Sequence, residues 1–217
     1  SQAGLNLPDR DYYLLDNEKF VDIRKAYVTH INKMFELLGD DAQPGETVLA
    51  LEKQLAEISW SREQRRDPVA TYNLKDVNEW DASLSNLDIA NIFTSRGFKP
   101  FDSLIVGQPS FYEGLNGLMV EQNIESWKSY MKWCTVLSFS SFLTSDLEKE
   151  SFGFYSTKLR GTQTMKPMNE RVFGVVNGYL GEPLGKLFVK EHFSEESKAY
   201  MANMIEHLRK AYRESIN

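Results

Sequence analysis

Cysteine is almost absent: Cys134 is the single thiol in 217 residues. No disulfide can form within the chain, and no cysteine-based zinc knuckle can be assembled. Histidine is nearly as scarce. His30, His192 and His207 are the three present, and none lies within four residues of another. The pair of histidines one helical turn apart that a hydrolytic zinc site needs, H-E-x-x-H, is therefore missing. Long apolar runs are lacking too. The longest, Trp133 to Leu143, carries Thr135, Ser138, Ser140 and Ser141 and is too short to span a bilayer. The opening SQAGLNLPDRDYY has neither the basic start nor the apolar centre of a signal peptide. Excess positive charge is absent: 25 Lys and Arg stand against 31 Asp and Glu, a net charge of −6. That balance excludes a broad electrostatic footprint for nucleic acid or an anionic membrane. No G-x-S-x-G elbow, no G-x-x-x-x-G-K-[ST] phosphate loop, no repeat of fixed period and no Pro-, Gly- or Ser-rich linker occurs.

What the chain does contain is helical periodicity. With 41% hydrophobic and 26% charged residues it has the composition of an ordinary globular protein able to bury a core. Residues 1–14 read as an extended arm pinned by Tyr12 and Tyr13. Phe20, Ile23, Tyr27, Ile31, Met34, Phe35 and Leu38 then recur at helical spacing from a cap at Asp16 or Asn17 to Gly39. Val48, Leu51, Leu55 and Ile58 predict a second helix that pairs antiparallel with the first. Ser61 with Gln64 predicts a capping box, and Asn73 a cap for a short helix through Trp80. Helices follow over Leu84 to Phe93, Phe111 to Val120, Ile124 to Leu143 and, from a cap at Thr144 or Ser145, to about Leu159. In the third of these Trp127, Tyr130, Met131, Cys134, Leu137 and Phe142 are the expected inward positions. Ser103 to Val106 is a brief extended piece, a minor β element at most. The closing helix starts at Ser194 and buries Tyr200, Met201, Met204, Ile205, Leu208 and Tyr212. The expected fold is all-α, a single multi-helix lobe over residues 1–217 built of long and short packed helices.

Asn169 to Phe193 carries the strongest packing signal. Gly178, Gly181 and Gly185, at spacings of three and four, make one bare helix face that lets a second backbone come close. Ten apolar residues between Val172 and Val189 surround it, so the segment reads as a central, largely buried helix pair, broken near Gly181 by Pro183. The glycine spacing is wrong for a dinucleotide fingerprint. Glu191 and His192 with Glu195 and Glu196 resemble a ligand cluster, but they straddle a helix end and read as a solvated turn. Arg62, Arg65 and Arg66 could grip a carboxylate or phosphate, although pairing with acids such as Glu63 and Asp67 is the simpler reading. Cys134 and the tryptophans Trp60, Trp80, Trp127 and Trp133 read as core. No catalytic, cofactor-binding or metal-binding residue is assigned.

Several segments, in order, carry a family resemblance: GLNLPDRDYY, AYVTHINKMFELLG, ALEKQLAEISWSREQRRDPVATYN, VVNGYLGEPLGKLFVKEHF and LRKAYRESI. Together they resemble the N-terminal helical part of the neprilysin-like zinc metallopeptidases, from about Gly4 to Ile216. The most specific pieces are LPDRDYY, RRDP with YN after it, and VNGxLGxxLGxLFV. The resemblance implies a two-lobe zinc endopeptidase that hydrolyses peptides. Its catalytic lobe would carry H-E-x-x-H and a later glutamate ligand. A helical covering lobe would act as lid and cavity wall, limiting access to peptides.

This chain looks like that covering lobe. No zinc ligand can be carried over onto it, and the zinc is expected in a catalytic lobe that this chain lacks. The implied partners are that lobe and peptide substrates, with no nucleic acid and no membrane contact. The fragment itself is expected to be catalytically inactive. Loops at Arg160 to Pro167 and Gly107 to Ser110 are the candidates to face substrate. The resemblance favours a location outside the cytoplasm, while the lone cysteine is compatible with either side. The alternative is a self-sufficient helical interaction module with no peptidase activity.

Overall fold

Asn17 accepts a hydrogen bond from Phe20 N through its side chain and starts α2 (Glu18–Leu37), which Gly39 ends at a positive φ of 76°. A Ser/Thr/Asp/Asn cap and a left-handed glycine are local signals, so both ends agree with the sequence. One short turn precedes it, α1 (Asp11–Leu14), so the last four residues of the expected arm are helical and only 1–10 lack regular structure. The structure, a computed structural model, describes residues 1–216. The chain divides into two compact units, Ser1–Gln163 and the part from Thr164 onward.

In the first unit α3 (Gly45–Ile58) packs on α2. The contact is close at one point: a Cβ on Gly45 would lie 2.6 Å from the Val28 carbonyl oxygen. Gly45 N also donates to Asn32 Oδ1 at 2.8 Å, so glycine is required there by space as well as position. Ser61 and Gln64 form the expected reciprocal cap, Ser61 N to Gln64 Oε1 at 2.8 Å and Gln64 N to Ser61 Oγ at 3.3 Å, ahead of a 3₁₀ turn at Gln64–Arg66.

Asn73 does not cap a helix. Its side chain instead donates to the Ala70 and Val106 carbonyls, and the chain continues as β1 (Leu74–Asp76). This strand pairs antiparallel with β2 (Ser103–Ile105), in the register Leu74 with Ile105 and Asp76 with Ser103. Asp76 caps α4 (Val77–Ser83) by accepting from Asn78 N and Glu79 N. Next comes α5 (Ile89–Ser95), and Trp80, Leu84, Ile89 and Val106 form a small core of their own.

The larger core gathers α2, α3, α6 (Pro109–Glu121), α7 (Ile124–Phe139) and α8 (Ser145–Phe152) around Tyr27, Ile31, Met34, Leu51 and Trp133. In α7 the buried residues are Tyr130, Trp133 and Val136, three apart, while Met131 and Phe142 are exposed. Trp127, Cys134 and Leu137 pack partly buried against the same core, so of the expected inward set only Met131 and Phe142 face away, because size and hydrophobicity do not say which side of a helix meets a neighbour. Beyond a 3₁₀ turn at Ser140–Phe142, Thr144 caps α8 as expected. That helix widens into a π-helical stretch, Gly153–Lys158, which turns Phe154 into the core.

The second unit holds α9 (Met168–His192) and α10 (Glu195–Ile216). Two expectations fail here. Pro183 does not break α9, which runs unbroken for 25 residues. Proline removes one backbone donor, and the intact ladder on both sides absorbs a single missing bond. Nor is the segment buried: no described residue of α9 or α10 is, and Phe173 and Tyr179 are 68% and 78% exposed. The face of α10 expected to be buried, Tyr200 to Tyr212, is exposed as well. Periodicity identifies an apolar face but does not supply what covers it. The fold is all-α with a minor β element, and no described helix is long and apolar enough to cross a membrane.

Candidate functional site

A buried polar cluster is built on Glu52 of α3, which is completely buried. Its carboxyl accepts from Asn6 Nδ2 at 2.6 Å, from Tyr13 OH at 2.7 Å and from Tyr27 OH at 3.0 and 3.1 Å. Each tyrosine is itself held: Trp133 Nε1 donates to Tyr27 OH at 2.7 Å, and Leu7 N donates to Tyr13 OH at 2.8 Å. Both phenolic protons therefore point at the carboxyl. Removal from water raises the Glu52 pKa to about 7, a rise the three hydrogen bonds only partly oppose. The same burial, with the neighbouring carboxyl, pushes the Tyr13 and Tyr27 hydroxyls far above their ordinary range.

Sequence reasoning missed this group. A signal was present, since Glu52 is four residues after Val48 and three before Leu55, on the apolar side of α3.

His30 lies nearby, stacked on Phe154 at 4.8 Å between ring centres and met edge-on by Trp133 and Tyr155. Its Nδ1 is 2.8 Å from Glu150 Oε1. Burial pushes its pKa down and Glu150 pulls it partly back, so the neutral ring donates its proton to the carboxylate.

The residues singled out in sequence do not converge. His30 is in the core, while His192 and His207 are on the exposed helices α9 and α10. Glu191, Glu195 and Glu196 lie around the α9 end and are solvated. Among the described residues no group of three or more His, Cys, Asp or Glu is placed to hold a metal ion. The side chains present do not fit a zinc site.

Arg62 pairs with Asp9, and Arg10 donates to the Ser59 carbonyl. These contacts close a polar cavity of about 240 Å³ between residues 2–10 and 59–65, with Arg65 on its wall. Cys134 is half-buried and accepts a weak contact from Asn6 Nδ2 at 3.5 Å. Trp133 and Trp80 are core, and Trp60 lies on the cavity wall, its Nε1 donating to Ser110 Oγ at 2.7 Å.

The second feature is the uncovered surface of α9 and α10. Val172, Phe173, Leu180, Leu184, Leu187 and Phe188 are all exposed on α9. A Cβ added at Gly174, Gly178 or Gly185 would meet nothing within 4 Å. The close approach that these glycines permit is not used by any described residue. Exposed apolar surface on this scale marks a place for another protein surface.

A family profile for the N-terminal region of peptidase family M13 matches residues 1–217. Endothelin-converting enzyme-like 1 of Mus musculus is 28% identical over 216 residues, covering 96% of this chain and 28% of that protein. The endothelin-converting enzyme homolog of Locusta migratoria is 30% identical over 234 residues, covering 99% and 31%. Among solved structures, the zinc metalloprotease Zmp1 of Mycobacterium tuberculosis in its open state superposes with a TM-score of 0.86 at 30% identity, covering 99% of this chain and 34% of that one. The chain thus spans about a third of the length of the relatives it matches. With the whole chain matched by the profile and its fold shared with Zmp1, the protein belongs to peptidase family M13 and corresponds to that family's N-terminal region.

Proposed function

We propose that this chain is the helical covering lobe of a two-lobe zinc endopeptidase, forming a lid and one wall of the cavity in which peptides are hydrolysed. Both compact units would belong to that lobe. The relatives support the reading by their own names, a zinc metalloprotease among them. The observation that carries it is the uncovered apolar surface of α9 and α10 with its open glycine face. In a longer protein that surface would meet the polypeptide that supplies the other two-thirds of the relatives' length. The metal and the residues that activate water would lie in that part, because the residues here do not fit a zinc site.

The lobe's contribution would be steric. A wall of packed helices limits which peptides reach the metal, and motion between lobes sets entry and release. The test compares two proteins: this chain, and the same chain extended by the segment that follows it in its gene. Metal analysis and cleavage of a fluorogenic peptide should show zinc and chelator-sensitive turnover in the extended protein alone. Stoichiometric zinc with turnover in the 217-residue chain would overturn the assignment, as would an extended protein with neither.

A further inference from the structure

We propose that Glu52 is a proton-operated fastening for the N-terminal segment, holding residues 1–14 tightly against α2, α3 and α7 when protonated and loosening them when ionised.

The middle of the segment is held at this point, while Gln2 bonds Gln108 and Trp60, Asp9 pairs with Arg62 and Arg10 bonds the Ser59 carbonyl. Asn6 and Tyr13 bond the carboxyl directly, and Leu7 N bonds the Tyr13 hydroxyl. Leu7 and Tyr13 are buried over the carboxyl, and Tyr130 OH donates to the Gly4 carbonyl at 2.7 Å beside them. These residues are also what keep water from Glu52. The titratable groups facing it are Tyr13 from α1, Tyr27 from α2, Tyr130 and Cys134 from α7, and Tyr155 from the π-helical stretch; none is a cation. His30, one turn along α2 from Tyr27, is neutral and committed to Glu150.

A buried carboxylate without a counter-charge gains by regaining water, and lifting the segment is the way to admit it. The protonated form has no such drive. Tyr27 OH stands within reach of both carboxyl oxygens, so it can donate to one and accept from the other, and the proton stays inside the cluster.

The sign follows from linkage. Docking raises the Glu52 pKa from its ordinary value of 4.5 to about 7, so docking is strongest at acid pH and its pH-sensitive part is lost once pH passes the docked value. From about pH 6 to about pH 8 the docking equilibrium should weaken about tenfold.

The measurement is amide exchange by NMR on the 217-residue chain, corrected for the intrinsic rate at each pH. The protection factor of the Leu7 amide should fall about tenfold over that range, while the amide of Ile31 in the middle of α2 should hold its protection. The carboxyl carbon of Glu52 should titrate with the same midpoint. Glu52→Gln should abolish the pH dependence at Leu7. Asn6→Ala removes a bond that favours the ionised form, so it should move the midpoint upward, and it decides the matter if Glu52→Gln does not fold. Leu7 protection that stays flat while the carboxyl titrates would overturn the proposal, as would a Glu52 ionised throughout, a fall shared equally by Ile31, or an unmoved midpoint in Asn6→Ala.

Discussion

His30 Nδ1 and Glu150 Oε1 lie 2.8 Å apart across 120 residues of chain, with the imidazole 2% exposed and the carboxylate 32% exposed. This bond ties α2 to α8 just ahead of the π-helical stretch, whose Phe154 stacks on the same imidazole. The ring's other nitrogen, Nε2, is buried with no hydrogen-bond partner, so a second proton there would have nothing to bond.

The stability of the fold should therefore carry an acid-side loss from His30. Its folded pKa is depressed below 6.5, so the unfolded chain takes the proton more readily; the stabilisation is present above 6.5 and is lost as pH falls below it. Glu52 contributes the opposite slope, about 3 kcal/mol gained as pH falls from about 7 to 4.5. Urea unfolding in the Glu52→Gln background should expose the His30 slope alone, with a lower midpoint at about pH 5 than at about pH 7. Adding His30→Gln should flatten it.

Glu150→Ala leaves the His30 Nδ1–H without its acceptor and should cost about 1–3 kcal/mol at neutral pH. Chemical denaturation measures this directly. A loss under about 0.5 kcal/mol would mean that water replaces the carboxylate.

Trp133, Tyr27 and Glu52 form a chain of hydrogen bonds, and its parts should not behave independently. Tyr27→Phe strands the buried Trp133 Nε1–H and should cost about 1–3 kcal/mol, while Trp133→Phe removes a donor from a Tyr27 hydroxyl that still bonds Glu52 and, with the indole volume lost from the core, should also destabilise the fold. In the double variant the indole and hydroxyl disappear together, so the combined cost should fall short of the sum by about 0.5–2 kcal/mol. A double-mutant cycle in urea reads the coupling.

Two glycines should respond in opposite directions. Gly45→Ala places a methyl 2.6 Å from the Val28 carbonyl and should destabilise the chain by about 1–3 kcal/mol. Gly178→Ala meets open space on α9 and should stabilise it by about 0.5–1 kcal/mol, visible as added helicity on thermal denaturation. In a longer protein that packs on this face, the same alanine should instead lower the Tm.

The uncovered α9 and α10 surfaces should make the isolated chain prone to associate. Sedimentation velocity should show a weight-average mass that rises with concentration, and Phe173→Lys with Leu187→Lys should suppress the rise. In a longer protein that packs on this face, the rise should be absent without substitution.

Much of the local structure was legible in the residues. The Ser61–Gln64 box stands where the spacing placed it, Asn17 and Thr144 are the caps out of the two candidates at each helix start, and the extended piece expected over Ser103 to Val106 forms a strand at Ser103–Ile105. The cap expected at Asn73 failed because a strand pair with residues 103–105, distant in sequence, claimed the backbone after it, and Asp76 caps the helix instead. Glu52 was passed over because a carboxylate on an apolar helix face looks like an interruption until its donors are known, and they come from residues 6, 13 and 27.

By itself the sequence determined which segments are helical, several of their caps and which of their faces are apolar, because caps, turns and periodicity act within a few residues. It also carried the family resemblance. Only the tertiary structure decided which apolar faces are covered. Those of α2, α3 and α7 close on one another around Trp133, while those of α9 and α10 stay open. It alone brought Asn6, Tyr13, Tyr27, Trp133 and Glu52 into one cluster, because the free energy of a buried carboxyl depends on donors that only folding places beside it.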